Sequence, residues 1–135
     1  MKKNLFLILF FAFVNTCFSQ NDTLAQQQRL RDSAQKYTGK PFSVLYNDLT
    51  IKPKTVEGTI AVKNIHVEPG HYFYYDDLES DNESDFFFYI EWILPPLKSE
   101  TRKYQNLLAR VFNTQEYPTY KDLIIKKLVV YPQAE

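Results

Sequence analysis

The sequence predicts an α+β domain, with two to three helices packed against a sheet of about four mostly antiparallel strands. Two observations predict this class. Some stretches place apolar residues every three or four positions, as helices do, and others alternate apolar and polar residues, as strands do. The predicted order is helix, helix, three strands, helix and strand, which differs from the regular βα alternation of a parallel sheet.

The chain begins with a segment typical of a secretory signal peptide. Lys2 and Lys3 precede an apolar run over residues 5–14, which is followed by small and polar residues. Cleavage after Ser19 would leave Gln20 as the first residue, and this start resembles exported proteins of Gram-negative bacteria in general. We therefore predict a signal peptide over residues 1–19 and a single domain over residues 20–135, located in the periplasm or outside the cell.

Cys17 leaves a second processing route open, in which it becomes the lipid-modified first residue of an anchored lipoprotein. The residues before it, Val14-Asn15-Thr16, match the usual small-residue signal for this route poorly. Cys17 is the one cysteine of the chain. After cleavage at Ser19 the domain would therefore contain no disulfide, and its core would have to stabilise it unaided.

Charge and hydropathy exclude two classes of protein. Lys2 and Lys3 leave with the signal peptide, so 14 of the 16 basic residues remain against 16 acidic ones, a formal net charge of −2. A nucleic-acid-binding domain normally carries a basic excess. The apolar run over residues 5–14 is about half of the ~20 residues that a membrane-spanning helix needs, and we expect no membrane span.

Two helices are predicted after the cleavage site. Thr23 followed three residues later by Gln26 fits a capping box. The polar segment over residues 20–40 has only a thin apolar stripe, so its helix should lie on the surface or fray, and Gly39 should end it. Apolar residues at helical spacing then predict a second helix over Pro41–Leu49, packed against the core.

A change to two-residue alternation predicts a β-hairpin. Residues 50–58 are expected to be a connector. Thr59–Val67 and Tyr72–Asp77 are the predicted strands, and Glu68–His71 is the predicted turn, because its Pro-Gly dipeptide suits a type II turn.

Asp85–Leu94 (DFFFYIEWIL) is predicted to be the central strand, ended by Pro95-Pro96. Apolar residues occur at both odd and even positions, which suits a strand covered on both sides. Alternation places Phe86, Phe88, Ile90, Trp92 and Leu94 on one face and Phe87, Tyr89, Glu91 and Ile93 on the other.

Two more elements complete the predicted fold. Apolar spacing predicts a helix from Ser99 to about Asn113. A turn around Pro118 then leads to a last strand over Leu123–Tyr131, which is rich in β-branched residues. This strand could pair in parallel with Asp85–Leu94 through a right-handed crossover, so the direction of that pairing stays open.

His66, Glu68 and His71 are a candidate metal site. In the predicted hairpin they project from one face beside the turn, and they are the ligand types of a zinc site with one open position. The spacing matches no established motif, and a one-residue shift would separate them. The acidic stretch Asp77–Asp85 is a second candidate, for calcium, although it lacks the glycine and the bidentate glutamate of an EF-hand loop. We expect no cofactor.

Glu91 interrupts the most apolar stretch of the domain. If it were buried, the pKa of its carboxyl would rise, and it could act as a general acid. The interpretation we favour is that the charge of Glu91 opposes aggregation of an apolar strand, with Lys126 and Lys127 as candidate partners.

The functional prediction depends on the ten tyrosines, all of which follow the predicted signal peptide. Tyrosine and tryptophan are common at recognition surfaces. We predict a binding surface formed by Tyr72, Tyr74, Tyr75, Glu91 and Trp92. The protein would be a small exported, non-catalytic binding module for a protein partner in the cell envelope, of unspecified oligomeric state. The alternative is a small metal-dependent or acid/base hydrolase centred on His66, His71 and a nearby carboxylate.

Overall fold

The computed structural model describes residues 22–76, 86–102 and 109–132, and within them it contains one five-stranded antiparallel sheet. The strands are β1 (Thr55–Gly58), β2 (Gly70–Tyr74), β3 (Phe87–Trp92), β4 (Ala109–Val111) and β5 (Ile125–Tyr131). Their order across the sheet is β4-β1-β2-β3-β5. The predicted α+β class is confirmed, with five strands in place of about four.

Four helices accompany the sheet in the described residues. Helix α1 covers residues 22–33 and continues into a 3-10 turn at Ala34–Tyr37. The others are α2 (Phe42–Asp48), α3 (Lys98–Thr101) and α4 (Tyr117–Tyr120). Gly39 separates the 3-10 turn from α2 with a φ of 77°, a left-handed conformation that glycine adopts without a steric penalty. The two predicted N-terminal helices are therefore confirmed.

Two glutamines attach α1 to the sheet. The Gln27 side chain donates to the backbone carbonyls of Phe87 and Tyr131, at 3.0 and 2.8 Å. The Gln26 amide donates to the carbonyl of Ile51 at 2.9 Å and accepts from its N–H at 2.8 Å. A side-chain amide can form the hydrogen bonds that backbone groups would otherwise form with water, so these two polar side chains can be buried. The helix lies on the surface, as predicted, with six of the twelve residues 22–33 exposed, but its narrow buried stripe includes two glutamines.

The inner face of the sheet carries the hydrophobic core, which is mainly aromatic. Phe73 of the central strand β2 stacks on Phe42 and Phe88, with ring centroids 5.1 and 5.2 Å away. Phe112 and Tyr120 meet the same ring edge-on, at 5.3 and 5.8 Å. Such pairs add about 0.5–1.5 kcal/mol each beyond the area that they bury.

The alternation predicted for Asp85–Leu94 is confirmed between residues 86 and 92, but this segment forms β3, which lies beside the central strand β2. Phe88, Ile90 and Trp92 are buried on the inner face, whereas Phe87, Tyr89 and Glu91 are half-buried on the outer face. Phe87 and Tyr89 contact rings of the adjacent strands but stay partly exposed, so β3 is fully buried on its inner face only, and not on both faces as predicted. Ile93 and Leu94, which were predicted to continue this strand, lie beyond its end and are exposed.

The predicted hairpin is wrong in both its first strand and its turn. Gly70, predicted to lie in the turn, begins β2, and β2 pairs with β1 over residues predicted to be a connector. Gly58 lies opposite His71 and Thr55 opposite Tyr74. Residues 59–69 form an irregular connection. The position beside β2 is taken by β1, whose Val56 is fully buried in the core.

The predicted helix Ser99–Asn113 is also wrong over most of its described length. Helix α3 ends at Thr101, and β4 pairs with β1 as an edge strand. Residues 103–108 lie outside the described part of the chain. The last predicted strand is confirmed as β5, and its pairing with β3 is antiparallel. Helix α4 occupies the predicted turn around Pro118.

Phe88 and Phe87 allow the two faces of the sheet to be compared. We expect Phe88→Ala to lower the free energy of unfolding by about 3–5 kcal/mol, since it opens a cavity in the core. Phe87→Ala should lower it by only about 1–2 kcal/mol, because that ring is half-exposed. Chemical denaturation of both variants measures the difference. Equal losses would contradict the assignment of the inner face.

Candidate functional site

The structure separates the three residues of the predicted metal site. Glu68 and His71 are in contact and have no exposed surface. His66 is exposed, and its backbone carbonyl accepts a hydrogen bond from the N–H of Lys98. No group of three or more His, Cys, Asp and Glu side chains that could hold a metal occurs in the described ranges. The three residues diverge because the hairpin that would have aligned them does not form.

Glu68 is the centre of a buried hydrogen-bonded cluster. Its Oε2 accepts from His71 Nε2 at 2.8 Å and from Thr101 Oγ1 at 2.5 Å, and its Oε1 accepts from Arg102 Nε at 2.8 Å. Gly58 provides the space for this carboxylate, since a Cβ at that position would lie 2.5 Å from Glu68 Cδ. The cluster therefore joins the connection before β2, β2 itself and the end of α3.

Trp92 determines the tautomer of His71. The indole Nε1–H donates to His71 Nδ1 at 2.8 Å, and an indole nitrogen can only donate. His71 Nδ1 must therefore carry the lone pair, so that Nε2 holds the proton that is donated to Glu68. Both ring nitrogens are engaged within the core. Trp92, predicted to lie on the binding surface, is only 2% exposed and belongs to this cluster instead.

The surroundings of Glu68 keep it ionised. Burial by itself would raise the pKa of its carboxyl above the usual 4.5, but the hydrogen bonds from His71, Thr101 and Arg102 outweigh burial and lower the pKa to about 2. A general acid or base must reach the substrate's proton. Glu68 and His71 present no surface to solvent. Their arrangement suits a structural role, which is to hold three segments together.

The outer face of the sheet carries a connected set of aromatic rings, here called the outer aromatic face. Its members are half-buried and lie on three adjacent strands: Tyr72, Tyr74, Phe87, Tyr89 and Tyr131. Phe87 stacks on Tyr131 with centroids 4.6 Å apart, and Tyr72 lies 4.8 Å from Tyr89. Tyr74 lies 5.3 Å from Phe87. Each of these pairs consists of directly opposed cross-strand residues.

Polar groups flank the outer aromatic face. Tyr74 Oη donates to Glu57 Oε2 at 3.1 Å. Glu91, at the other end of the face, pairs with Lys126 at 2.6 Å, as the sequence suggested. The Tyr89 ring lies over Gly70, where a Cβ would come within 2.5 Å of two ring carbons. Burial raises the pKa of Tyr89, so its hydroxyl stays protonated at neutral pH.

The structure divides the predicted binding surface between the two faces of the sheet. Tyr72, Tyr74 and Glu91 lie on the outer face, as a recognition surface requires. Tyr75 and Trp92 lie on the inner face. The hydroxyl of Tyr75 donates to Gln27 Oε1 at 3.1 Å, and burial raises its pKa to about 12.

Sequence reasoning missed three rings of the outer aromatic face: Phe87, Tyr89 and Tyr131. The alternation of β3 placed Phe87 and Tyr89 on one face, but strand pairing was needed to bring them beside Tyr72 and Tyr74. The acidic stretch Asp77–Asp85, a candidate for calcium, lies outside the described residues.

Comparisons with known protein families, with curated proteins and with solved structures find no match. Within residues 22–76, 86–102 and 109–132, none of the helices combines the length and the apolar character needed to cross a bilayer. The physical chemistry of the outer aromatic face is therefore the main guide to function.

The low pKa of Glu68 predicts a specific pH dependence of stability. The contribution of Glu68 is complete above pH 4.5, its unfolded pKa, and is lost as the pH falls through about 2. We expect the wild type to exceed Glu68→Gln in free energy of unfolding at neutral pH. This difference should shrink by roughly 3 kcal/mol on acidification to pH 2, as the shift in pKa implies.

Urea denaturation at a series of pH values measures this change. Glu91→Gln is the matched control, because it makes the same substitution on the outer face, where the side chain is 31% exposed. A difference between the wild type and Glu68→Gln that does not vary with pH would contradict the described cluster.

Proposed function

We propose that this protein is a small exported binding module that recognises a protein partner through its outer aromatic face, without catalysing a reaction. The observation that supports the proposal is the set of five half-buried rings across β2, β3 and β5. On the inner face, helices α2 and α4 pack against the aromatic core. The rings of the outer aromatic face do not belong to this core and remain partly exposed.

The chemistry of this face suits a protein partner. Tyrosine combines a large apolar ring with a hydroxyl that can form hydrogen bonds, and aromatic residues are enriched in protein interfaces. The rings are restrained by each other, so binding would cost little additional side-chain entropy. Glu57, Glu91 and Lys126 supply the charged rim that normally surrounds an aromatic interface.

Export is part of this proposal and depends on the N-terminal residues. We infer a signal peptide over residues 1–19 and a mature protein in the periplasm or outside the cell. Attachment as a lipoprotein through Cys17 is the alternative route. In either location a protein of the cell envelope is the expected partner, and the net charge of −2 after cleavage disfavours nucleic acid.

The alternative of a hydrolase centred on His66 and His71 receives less support. His71 donates to Glu68 and accepts from Trp92, so neither ring nitrogen is available to a metal or a substrate. His66 is exposed within the connection between β1 and β2 and does not join the Glu68–His71 pair. Calorimetric titration of the protein with zinc tests this alternative, which would gain support from binding that His66→Ala removes.

A photo-crosslinking amino acid at Tyr72 tests the proposed function directly. Tyr72 contacts the rings of Tyr74, Phe87 and Tyr89, so a partner on this face must cover it. We expect one stoichiometric crosslinked protein from the cell envelope. In a binding assay with that protein, Tyr72→Ser should weaken affinity by about tenfold or more, as interface hot spots do.

Tyr117→Ser is the matched control for this experiment. Tyr117 is also partly buried, but it lies in α4 on the helical side of the sheet, stacked on Tyr46 with centroids 4.3 Å apart. Affinity should be unchanged in this variant. Equal losses in both variants, or no specific crosslink at position 72, would contradict a role for the outer aromatic face.

A further inference from the structure

Exposed aliphatic side chains are concentrated at one end of the sheet. Of the eight large hydrophobic residues that are exposed in the described ranges, six lie in two connections at this end. One connection, residues 59–69, joins β1 to β2, and the other, residues 93–97, joins β3 to α3. The six residues are Ile60 (62% exposed), Val62 (97%), Ile65 (62%), Ile93 (51%), Leu94 (77%) and Leu97 (47%). We call the two connections together the apolar loop pair.

The two connections are joined to each other by backbone hydrogen bonds. Val67 and Leu97 form a β-bridge. The N–H of Glu68 donates to the carbonyl of Pro96 at 3.0 Å, and the N–H of Lys98 donates to the carbonyl of His66 at 2.9 Å. The two connections therefore lie side by side at one end of the sheet.

The Glu68 cluster joins the same two connections through side chains. Glu68 belongs to the first connection, and its partners Thr101 and Arg102 directly follow the second. The carboxylate has no exposed surface, and a buried hydrogen-bonded charge holds its neighbours in one geometry. The Glu68 cluster therefore fixes the two connections relative to each other.

The composition of the apolar loop pair favours a lipid surface over a protein. The two connections contain no aromatic residue, and leucine and valine are under-represented among the hot spots of protein interfaces. Lys63 is exposed beside Val62, and Lys98 follows Leu97. Glu68, the one acid within the two connections, is buried, so the exposed charge within them is that of Lys63, while Lys98 at the start of α3 is half-buried and is followed by the exposed Glu100. Aliphatic tips beside lysines match the acyl boundary and the anionic headgroups of a bilayer.

We propose that the apolar loop pair docks this protein onto the surface of an anionic lipid bilayer. Val62 and Leu94, the two most exposed of the six, enter the boundary between headgroups and acyl chains. Lys63 and Lys98 lie at the headgroups, because a lysine can bury its stem and keep its ammonium in water. Insertion is shallow, since the irregular backbone of the connections needs water for its polar groups. The outer aromatic face stays free, and this proposal does not depend on the proposed function.

Site-specific fluorescence on the full chain tests the proposal. Cys17 is the one cysteine, so Cys17→Ser combined with Val62→Cys allows an environment-sensitive label to be placed at the loop tip. Gln115→Cys is the matched control, because Gln115 is exposed and follows β4, whose Val111 pairs with Thr55 at the far end of β1. With phosphatidylglycerol vesicles we expect a blue shift at position 62, quenched by brominated lipid, and none at position 115.

A second pair of variants measures the contribution of the loops to affinity. In vesicle co-sedimentation of the full chain, Val62→Asp combined with Leu94→Asp should weaken binding to phosphatidylglycerol vesicles by about tenfold or more. Val111→Asp, at a valine that is 43% exposed on the edge strand, should leave binding unchanged. Lys63→Glu should remove the preference for phosphatidylglycerol over phosphatidylcholine. Because the N-terminal segment is the same in every variant, a difference between variants reports the substituted side chains.

Several outcomes would overturn the proposal. Equal responses of the labels at positions 62 and 115 would place attachment in the N-terminal segment or over the whole surface. The absence of a response at position 62 would exclude the loops. Sedimentation that shows a dimer in solution, dissociated by Val62→Asp, would assign the apolar loop pair to a contact with a second copy of the chain.

Discussion

Two-residue alternation along β2 and β3 separates the aromatic side chains of this protein into two sets. The inner set, with Phe73 and Phe88 stacked at its centre, forms the core with α2 and α4. The outer set, formed by cross-strand pairs, remains half-buried on the opposite face. Successive side chains of a strand point to opposite faces. Because β2 and β3 contain aromatic residues at consecutive positions, some of these rings enter the core and their neighbours lie on the outer face. Stability and the proposed recognition surface follow from the same constraint.

Two glycines allow side chains to pack closely against the backbone of the sheet. Both lie at the end of the sheet that carries the apolar loop pair. Gly58 leaves room for the Glu68 carboxylate, and Gly70 leaves room for the Tyr89 ring. Removing one partner from a buried ion pair is strongly destabilising, so the Glu68 cluster makes this end of the fold sensitive to substitution. The cluster also holds the two connections that carry the exposed aliphatic residues. Hydrogen bonds from Trp92 to His71 and from His71 to Glu68 thus connect the core to the apolar loop pair.

The success of the sequence-based predictions varied with the range of the interactions involved. Helix α2 and strands β3 and β5 were recognised because their own apolar periodicity decides which face is buried. Residues 59–67 alternate as clearly, yet Ile60, Val62 and Ile65 are exposed, and β1 takes the position beside β2. Strand β4 was predicted to be part of a helix, because apolar spacing over a short segment does not distinguish an edge strand from a helix. The burial of Gln26 and Gln27 could not be predicted, because their partners lie 25 to 104 residues away in the chain.

The sequence by itself determined the α+β class, helix α2 and the apolar strands β3 and β5, since these follow from periodicity within single segments. Only the tertiary structure decided the strand order, the burial of Trp92 and Tyr75, and the contact between Glu68 and His71. It also decided that Val62 and Leu94 lie at the same end of the sheet. These features depend on which distant segments meet, and a pairing between segments is a property of the folded chain that local periodicity does not encode.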